Sequence, residues 1–140
     1  MRVLGLDLGN RTIGMAISDY LGIIANPIGT DRFDDQDLDK ALEFVLKRIE
    51  EYSVDKIVLG LPKNMNGSIG FQAEYCLHFK EMLEKATGLE VVMIDERLTS
   101  KEVDVIMLQA DLSRQKRKKN VDKLAATIIL QTYLDQNNKK

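Results

Sequence analysis

The sequence predicts one α/β domain over residues 1–140, with a mixed five-stranded sheet and helices on both faces. Three strand-like stretches joined by short turns open the chain, which is the pattern of an antiparallel meander. Apolar strand-like stretches then alternate with amphipathic helical ones, which is the pattern of βα units. Because short crossovers make such strands parallel, we expect the later strands to run parallel to the first. The predicted order is β-β-β-α-β-α-β-α-α.

The antiparallel part of the prediction rests on strand and turn patterns near the start of the chain. The first strand ends at Asp7, and a turn at Gly9-Asn10 separates it from the second, whose apolar residues alternate from Ile13 to Ile17. A third strand is predicted over 23–28. Asp7 therefore ends an apolar strand of the kind usually found in the centre of a sheet, where a charge is costly unless paired. Its carboxylate either caps the turn that follows or holds a cation.

Two amphipathic helices are predicted over about 38–52 and 75–86. Five aspartates over 31–39 come before or within the first turn of the first helix, where the helix dipole favours negative charge, so we interpret them as structural. The second helix contains Cys76 and His78, which are the only cysteine and the only histidine of the chain. We interpret both as structural because neither has an acidic partner at catalytic spacing.

The remaining elements alternate strand and helix. Buried strands of the parallel kind are predicted over 56–60 and 89–94, and a loop rich in turn-forming residues over 61–68 follows the first of them. A capping box predicts a short helix over 99–110. The last helix is predicted from about 121 to 134; it is apolar on nearly all sides, so we expect it to pack on the sheet and against a neighbour.

The charges of the chain are unevenly distributed. The net charge is −2, and removing five closely spaced cations leaves −7 on the remaining residues. These five cations, predicted to lie in a loop before the last helix, are Arg114, Lys116, Arg117, Lys118 and Lys119. A cationic loop on an acidic body could contact phosphate, or it could be a solvated loop without a partner.

Composition narrows the classes of protein to consider. The hydrophobic content of 44% and the charged content of 30% are ordinary for a globular protein, and no apolar run is long enough to span a bilayer. The N-terminus lacks the layout of a signal peptide, and a single cysteine cannot form an internal disulfide, so we expect a cytoplasmic protein. A zinc site is not expected because there is no CxxC motif or histidine cluster.

Three carboxylates are expected at one edge of the predicted sheet. Asp7 and Glu96 lie at the ends of strands expected to be parallel, and Asp122 opens the last predicted helix. Ligand sites of open α/β sheets lie at the carboxyl ends of the strands. Clustered carboxylates repel one another unless a cation binds, and oxygen ligands favour Mg²⁺ or Mn²⁺; two such ions could support phosphodiester cleavage. Individually, Asp122 could be a favourable first-turn acid, and Glu96 could pair with Arg97 or cap a helix.

Four short motifs are spread over nearly the whole chain. They are Asp7-Leu8-Gly9 with Ile13-Gly14 and Ala16-Ile17-Ser18-Asp19; Gly60-Leu61-Pro62 with Asn66-Gly67 and Gly70; Asp95-Glu96-Arg97-Leu98-Thr99-Ser100; and Asp122 with Ala125-Ala126, Ile129-Leu130-Gln131 and Tyr133-Leu134. In order and interval they resemble the motifs of the YqgF (RuvX-like) family, which has the ribonuclease-H-like fold. Four motifs in order are far more specific than a single DLG tripeptide.

The resemblance implies a metal-dependent nuclease that hydrolyses phosphodiester bonds with Mg²⁺ or Mn²⁺. Its catalytic and metal-binding acids map onto Asp7, Glu96 and Asp122, with Asp95 ranked below Glu96. Family members are described as nucleases that mature the 5′ end of pre-16S ribosomal RNA, which we rank first, or as Holliday junction resolvases that cut branched DNA. A symmetric junction would suit a homodimer.

The resemblance also implies which residues would contact nucleic acid. Arg11 stands where the family often has lysine, so the charge is kept but the donor geometry differs. The full predicted set adds the loop after Gly60 and the basic run: Arg11, Lys63, Asn66, Arg97, Arg114, Lys116, Arg117, Lys118 and Lys119.

Two other classes of protein remain open at this point. A strand ending in DLG before a β-turn-β also begins the sugar-kinase and actin-like ATPases, which usually need a second such domain to close on the nucleotide. A binding module for RNA or DNA junctions, with acids kept only for folding, is the other. A rise of the melting temperature with added Mn²⁺ would distinguish the nuclease from the binding module. A measurement of ATP binding would test the kinase hypothesis.

Overall fold

The computed structural model describes residues 2–62, 69–95 and 114–137, with side chains in the last range from 125 onward. Its five strands and three helices alternate much as the sequence predicts. The strands are β1 Val3–Leu8, β2 Thr12–Ser18, β3 Ala25–Arg32, β4 Lys56–Leu61 and β5 Val91–Asp95. The helices are α1 Leu38–Tyr52, α2 Phe71–Thr87 and α3 Arg114–Asn137.

The strands form one sheet in the order β3-β2-β1-β4-β5. β2 is antiparallel to both of its neighbours, β1 and β3. β4 is parallel to β1, and β5 is parallel to β4. The predicted mixed five-stranded sheet is therefore confirmed, and β1 is its central strand.

The two faces of the sheet are covered by different helices. Alternate residues of β1, Leu4, Leu6 and Leu8, belong to a buried cluster that also contains side chains of α1 and α2. The opposite face carries a second cluster, in which Val3 packs with α3 residues including Leu130. Because side chains of a strand alternate between faces, each residue of β1 can be assigned to one cluster or the other.

Helix α3 lies directly against β1. A Cβ atom placed on Gly5 would be only 2.6 Å from the Cβ atom of Leu130 and 3.1 Å from the carbonyl oxygen of Ala126. Further along the helix, the Tyr133 hydroxyl is 3.1 Å from Lys56 Nζ, at the first residue of β4. The helix therefore runs antiparallel to β1, and its amino-terminal part extends toward the carboxyl end of that strand.

Two predicted boundaries are wrong in informative ways. Helix α3 begins at Arg114 rather than near residue 121, so the basic run predicted as a loop is helical. Arginine, lysine and glutamine are good helix formers, and no glycine or proline interrupts them. β3 begins at Ala25 and ends at Arg32, later than the predicted 23–28, because the Asp19 carboxylate accepts hydrogen bonds from the amides of 23 and 24 and so lengthens the turn.

Other predictions agree closely with the structure. Helix α1 occupies the predicted range, and the Asp37 carboxylate caps it by accepting a hydrogen bond from the Lys40 amide. Helix α2 ends before Gly88, which adopts the left-handed conformation that glycine favours at a helix end. The short helix predicted over 99–110 lies outside the described residues. Within the described part of the chain, no helix is both long and apolar enough to cross a membrane.

Candidate active site

Asp7 is the next-to-last residue of the central strand and lies at its carboxyl end. It is half-buried and pairs with Gly14 of β2. By strand alternation it shares a face with Val3 and Gly5, both of which lie against α3. The structure thus places this carboxylate beside the helix that contains Asp122.

The backbone of α3 brings position 122 to the level of Asp7. Ala126 and Leu130 are next to Gly5, and Asp122 precedes Ala126 by four residues, or about one helical turn. Asp7 follows Gly5 by two residues. Two residues of a strand span about 6.6 Å along its axis, and four residues of a helix span about 6 Å. Positions 7 and 122 therefore lie at the same level on one face of the sheet.

Helix α3 also changes the setting of Asp122. The sequence pattern placed this residue at the start of the helix, but α3 begins eight residues earlier, at Arg114. A carboxylate so far from the helix start gains little from the helix dipole, which acts within the first turn. The alternative explanation of Asp122 as a first-turn acid is therefore wrong.

Asp95 is the last residue of β5, and the alternation of that strand fixes its relation to Asp7. Val92 and Ile94 belong to the cluster beneath α3, whereas Met93 packs on the cluster beneath α1 and α2. Asp95, which pairs with Leu61 of β4, is two residues after Met93 and therefore belongs to the face opposite Asp7. Glu96 follows Asp95 directly and lies outside the described residues.

The turn between β1 and β2 is held by contacts from distant parts of the chain. Gly9 donates its amide proton to the carbonyl oxygen of Thr12 at 2.7 Å. The carbonyl oxygen of Gly9 accepts a hydrogen bond from the Tyr75 hydroxyl of α2 at 3.2 Å. Sequence inspection missed Tyr75, since no local signal connects it to a residue 66 positions away.

Burial raises the pKa of the Tyr75 hydroxyl to about 12, with smaller contributions from Cys76, Asp35 and Asp37. Burial has the largest effect on this pKa because an ionised phenolate would lose hydration there, and nearby negative charge acts in the same direction. The Tyr75 hydroxyl therefore remains protonated, and remains a hydrogen-bond donor, at neutral pH.

Asn10 and Arg11 continue this turn toward solvent. The carbonyl oxygen of Asn10 accepts from the Gln36 amide at 2.7 Å, and its side-chain oxygen accepts from Gln72 Nε2 of α2 at 3.0 Å. The Arg11 side chain is 75% exposed, and its Nε lies 3.8 Å from Asp35 Oδ1. Because exposed ion pairs contribute little, the Arg11 guanidinium can exchange Asp35 for a phosphate at small cost.

The other predicted contacts to nucleic acid fall into two groups. Lys63, Asn66 and Arg97 lie outside the described residues. The five cations of 114–119 occupy the first two turns of α3, in the part of the helix that extends beyond the level of Asp7.

A cleft of about 730 Å³ lies on the opposite face, between the start of α1 and α2. Its lining includes the carboxylates of Asp37, Asp39 and Glu74, together with the aromatic ring of Phe71. Carboxylates repel phosphate, so this cleft is unsuited to a nucleic-acid backbone. His78 also lines it.

The described side chains do not by themselves form a metal site. Within ranges 2–62, 69–95 and 125–137, no three His, Cys, Asp or Glu side chains are close enough to hold an ion. Of the three predicted ligands, only Asp7 has a described side chain. Its oxygen donor, half-buried at the carboxyl end of a central strand, is of the kind that Mg²⁺ and Mn²⁺ prefer.

Known proteins resemble this chain over its whole length. A family described as "RuvX: Holliday junction resolvase" matches residues 1–136. A "Putative pre-16S rRNA nuclease" of Clostridium botulinum is 53% identical over 139 residues, covering 99% of this chain and 100% of that protein. A Staphylococcus saprophyticus protein of the same name is 47% identical over 135 residues, covering 96% of this chain and 95% of that protein.

A solved structure supports the fold independently. RuvC of T. thermophilus, in complex with a Holliday junction substrate, aligns with a TM-score of 0.63 and 13% identity, covering 100% of this chain and 98% of that one. At so low an identity the similarity concerns the fold alone. The match over residues 1–136, together with relatives about 50% identical over their full length, shows that this chain belongs to the RuvX family and has the ribonuclease-H-like fold.

Proposed function

We propose that this protein is a metal-dependent nuclease that hydrolyses phosphodiester bonds during maturation of the 5′ end of pre-16S rRNA in the cytoplasm. The observation that carries the proposal is the placement of Asp7. This carboxylate lies at the carboxyl end of the central strand on the face covered by α3, at the level where the helix backbone brings position 122. Ligand sites of open α/β sheets form at that edge.

The proposed catalytic and metal-binding acids are Asp7, Glu96 and Asp122. We choose Glu96 over Asp95 because strand alternation assigns Asp95 to the face opposite Asp7. Three carboxylates brought together need positive charge to offset their mutual repulsion. When bound, Mg²⁺ or Mn²⁺ would supply that charge, an activated water and stabilisation of the developing charge on the phosphate.

Cations around this edge would hold the substrate. The exposed Arg11 guanidinium lies on the turn that follows Asp7, and the basic run 114–119 lies in the same helix as Asp122. We propose that these groups, with Lys63, Asn66 and Arg97, contact phosphates and nucleotides. Such contacts position a strand without reading its sequence. The acidic cleft on the other face supports an approach of nucleic acid from the α3 side.

The choice of RNA over branched DNA rests on the curated relatives, whose shared name specifies pre-16S rRNA. Holliday junction cleavage is the second candidate, favoured by the description of the matching family. It would require two active sites related by the symmetry of the junction, and therefore a homodimer. The kinase alternative is disfavoured because the chain matches the RuvX family over residues 1–136 and the relatives over their full length.

The first prediction concerns cleavage by Asp7→Asn. A labelled pre-16S rRNA fragment and a synthetic four-way junction are incubated with wild type, with Asp7→Asn and with Asp55→Asn, in Mn²⁺ or in chelator. Asp55 is a matched control because it is an acid at the opposite end of the sheet, next to the start of β4. We expect metal-dependent cleavage of the RNA, reduced at least about 100-fold by Asp7→Asn, because a lost carboxylate removes metal-ligand charge.

Each substrate gives an outcome that decides between the candidates. Cleavage of the junction alone would favour the resolvase. Activity unchanged in Asp7→Asn, or reduced equally in Asp55→Asn, would contradict the proposed site. Cleavage of neither substrate by wild type would favour the binding module.

A further inference from the structure

We infer that helix α2 positions the proposed metal site through the turn between β1 and β2, with Tyr75 as the positioning residue. This inference rests on the proposed function, since it assigns a role toward the metal that Asp7 would hold. Tyr75 would touch neither metal nor substrate. It would act through Gly9, whose carbonyl oxygen accepts the hydrogen bond from the Tyr75 hydroxyl.

Strand β1 is paired over different lengths along its two edges. Its parallel pairing with β4 extends from Val3 to Leu6, whereas its antiparallel pairing with β2 continues to Leu8. Asp7 therefore belongs to the part of β1 whose pairing with β2 leads directly into the turn. Contacts made by the turn would therefore add to this pairing in fixing the end of the β1–β2 hairpin, including Asp7.

The turn between β1 and β2 receives hydrogen bonds from α2 and from the segment before α1. Helix α2 supplies two side-chain hydrogen bonds, from Tyr75 to the Gly9 carbonyl and from Gln72 to the Asn10 side chain. Tyr75 and Gln72 are three residues apart, so both lie on the helix face toward the hairpin. The backbone amides of Gln36 and Phe33 donate hydrogen bonds to the carbonyl oxygens of Asn10 and Arg11, respectively.

The Tyr75 hydroxyl and the Gly9 carbonyl that it contacts are both restricted in their movement. Tyr75 is 8% exposed and belongs to the cluster beneath α1 and α2, so packing restricts the position of its hydroxyl relative to the sheet. Gly9, which receives the hydrogen bond, is itself constrained, since its amide bonds the Thr12 carbonyl at 2.7 Å and an added Cβ would lie 3.1 Å from Thr12 Oγ1. A rigid donor thus meets a rigid acceptor two residues after Asp7.

Metal affinity should depend on this contact. Ligands must be held within about 0.5 Å of productive geometry, and groups that orient ligands directly contribute 10–100-fold to metal affinity or activity. Tyr75 would not contact the ligand directly but would act through two residues of backbone, so we expect a smaller effect on metal affinity. Removal of its hydroxyl should weaken Mn²⁺ binding by about 3–10-fold.

The test compares two tyrosines that differ in position. Tyr133 is also 8% exposed, and its hydroxyl is hydrogen-bonded to Lys56 Nζ at 3.1 Å, near the amino ends of β1 and β4. Tyr75→Phe and Tyr133→Phe each remove one bonded hydroxyl from a buried ring. Calorimetric titration with Mn²⁺ gives the dissociation constant, and thermal melting in chelator gives the stability of each variant.

We expect both variants to melt a few degrees lower than wild type and only Tyr75→Phe to bind Mn²⁺ about 3–10-fold more weakly. Unchanged affinity in Tyr75→Phe, or equal weakening in both variants, would overturn the inference while leaving the proposed function intact. Wild type without Mn²⁺ binding would overturn the proposed function, and the inference with it. If Tyr75→Phe does not fold, Gln72→Ala replaces it, because this variant removes the neighbouring hydrogen bond to Asn10. We expect Gln72→Ala to weaken Mn²⁺ binding by a similar factor. Unchanged Mn²⁺ affinity in Gln72→Ala would overturn the inference.

Discussion

At the residue scale, the face of the sheet to which an acid belongs matters more than its position in sequence. Asp95 and Glu96 are adjacent in sequence, and Asp95 is the last residue of β5. The residues of β5 alternate between the cluster under α3 and the cluster under α1 and α2. Asp95 falls on the face opposite Asp7, which leaves Glu96 as the proposed ligand.

We predict that Glu96→Gln abolishes metal-dependent cleavage, whereas Asp95→Asn retains at least about a third of wild-type activity. The physical reason is that only a carboxylate on the face of Asp7 shares the charge of the same cation. The measurement is the single-turnover rate on the RNA substrate at saturating Mn²⁺. A larger loss in Asp95→Asn than in Glu96→Gln would reverse the assignment of the ligand.

At the element scale, the placement of α3 depends on Gly5, a residue without a side chain. Gly5 allows the backbone of α3 to approach β1 so closely that Ala126 and Leu130 contact the strand. That approach sets the distance between β1 and the helix containing Asp122. Neither helix propensity nor the apolar pattern of α3 specifies which strand residue it meets.

We predict that Gly5→Ala destabilises the protein by about 2–3 kcal/mol, because its methyl group would overlap Leu130 in a packed core. Gly22→Ala is the control: it also adds one methyl, but into open space at a positive φ of 70°, so backbone strain alone should cost about 1 kcal/mol. Denaturant unfolding measures both values. A loss from Gly5→Ala no larger than that from Gly22→Ala would contradict the close approach.

At the scale of the whole molecule, charge is divided between the two helical faces. The acidic cleft lies between α1 and α2, while the basic run 114–119 opens α3 on the other face. A net charge of −2 conceals this division. The uneven distribution supports approach of a polyanion from one side only.

We predict that Mn²⁺ raises the melting temperature of wild type, because a ligand that binds only the folded state stabilises it by mass action. At a concentration 100 times the dissociation constant the gain is about 2.7 kcal/mol. Thermal melting at several Mn²⁺ concentrations measures it, with Asp7→Asn expected to show a smaller shift. No shift of the wild-type melting temperature at millimolar Mn²⁺ would favour the binding module.

The amino-acid sequence by itself indicated the order of the strands and the first two helices, because each depends on local periodicity, turn residues or helix caps. It also supplied the candidate acids, which stay a prediction. Helix α1 was predicted over its full range, and Asp7 was identified as a strand-ending acid. Even local patterns failed at Arg114, where the charge of the basic run suggested a loop although its residues favour a helix.

Only the tertiary structure decided what these elements do together. It brought Gly5 against Leu130, joined the Tyr75 hydroxyl to Gly9, and assigned Asp95 to the face opposite Asp7. Each of these contacts joins segments that are distant in sequence. Such contacts are determined by how the segments pair and pack, through steric fit and the burial of apolar area. No local sequence pattern encodes that pairing or packing.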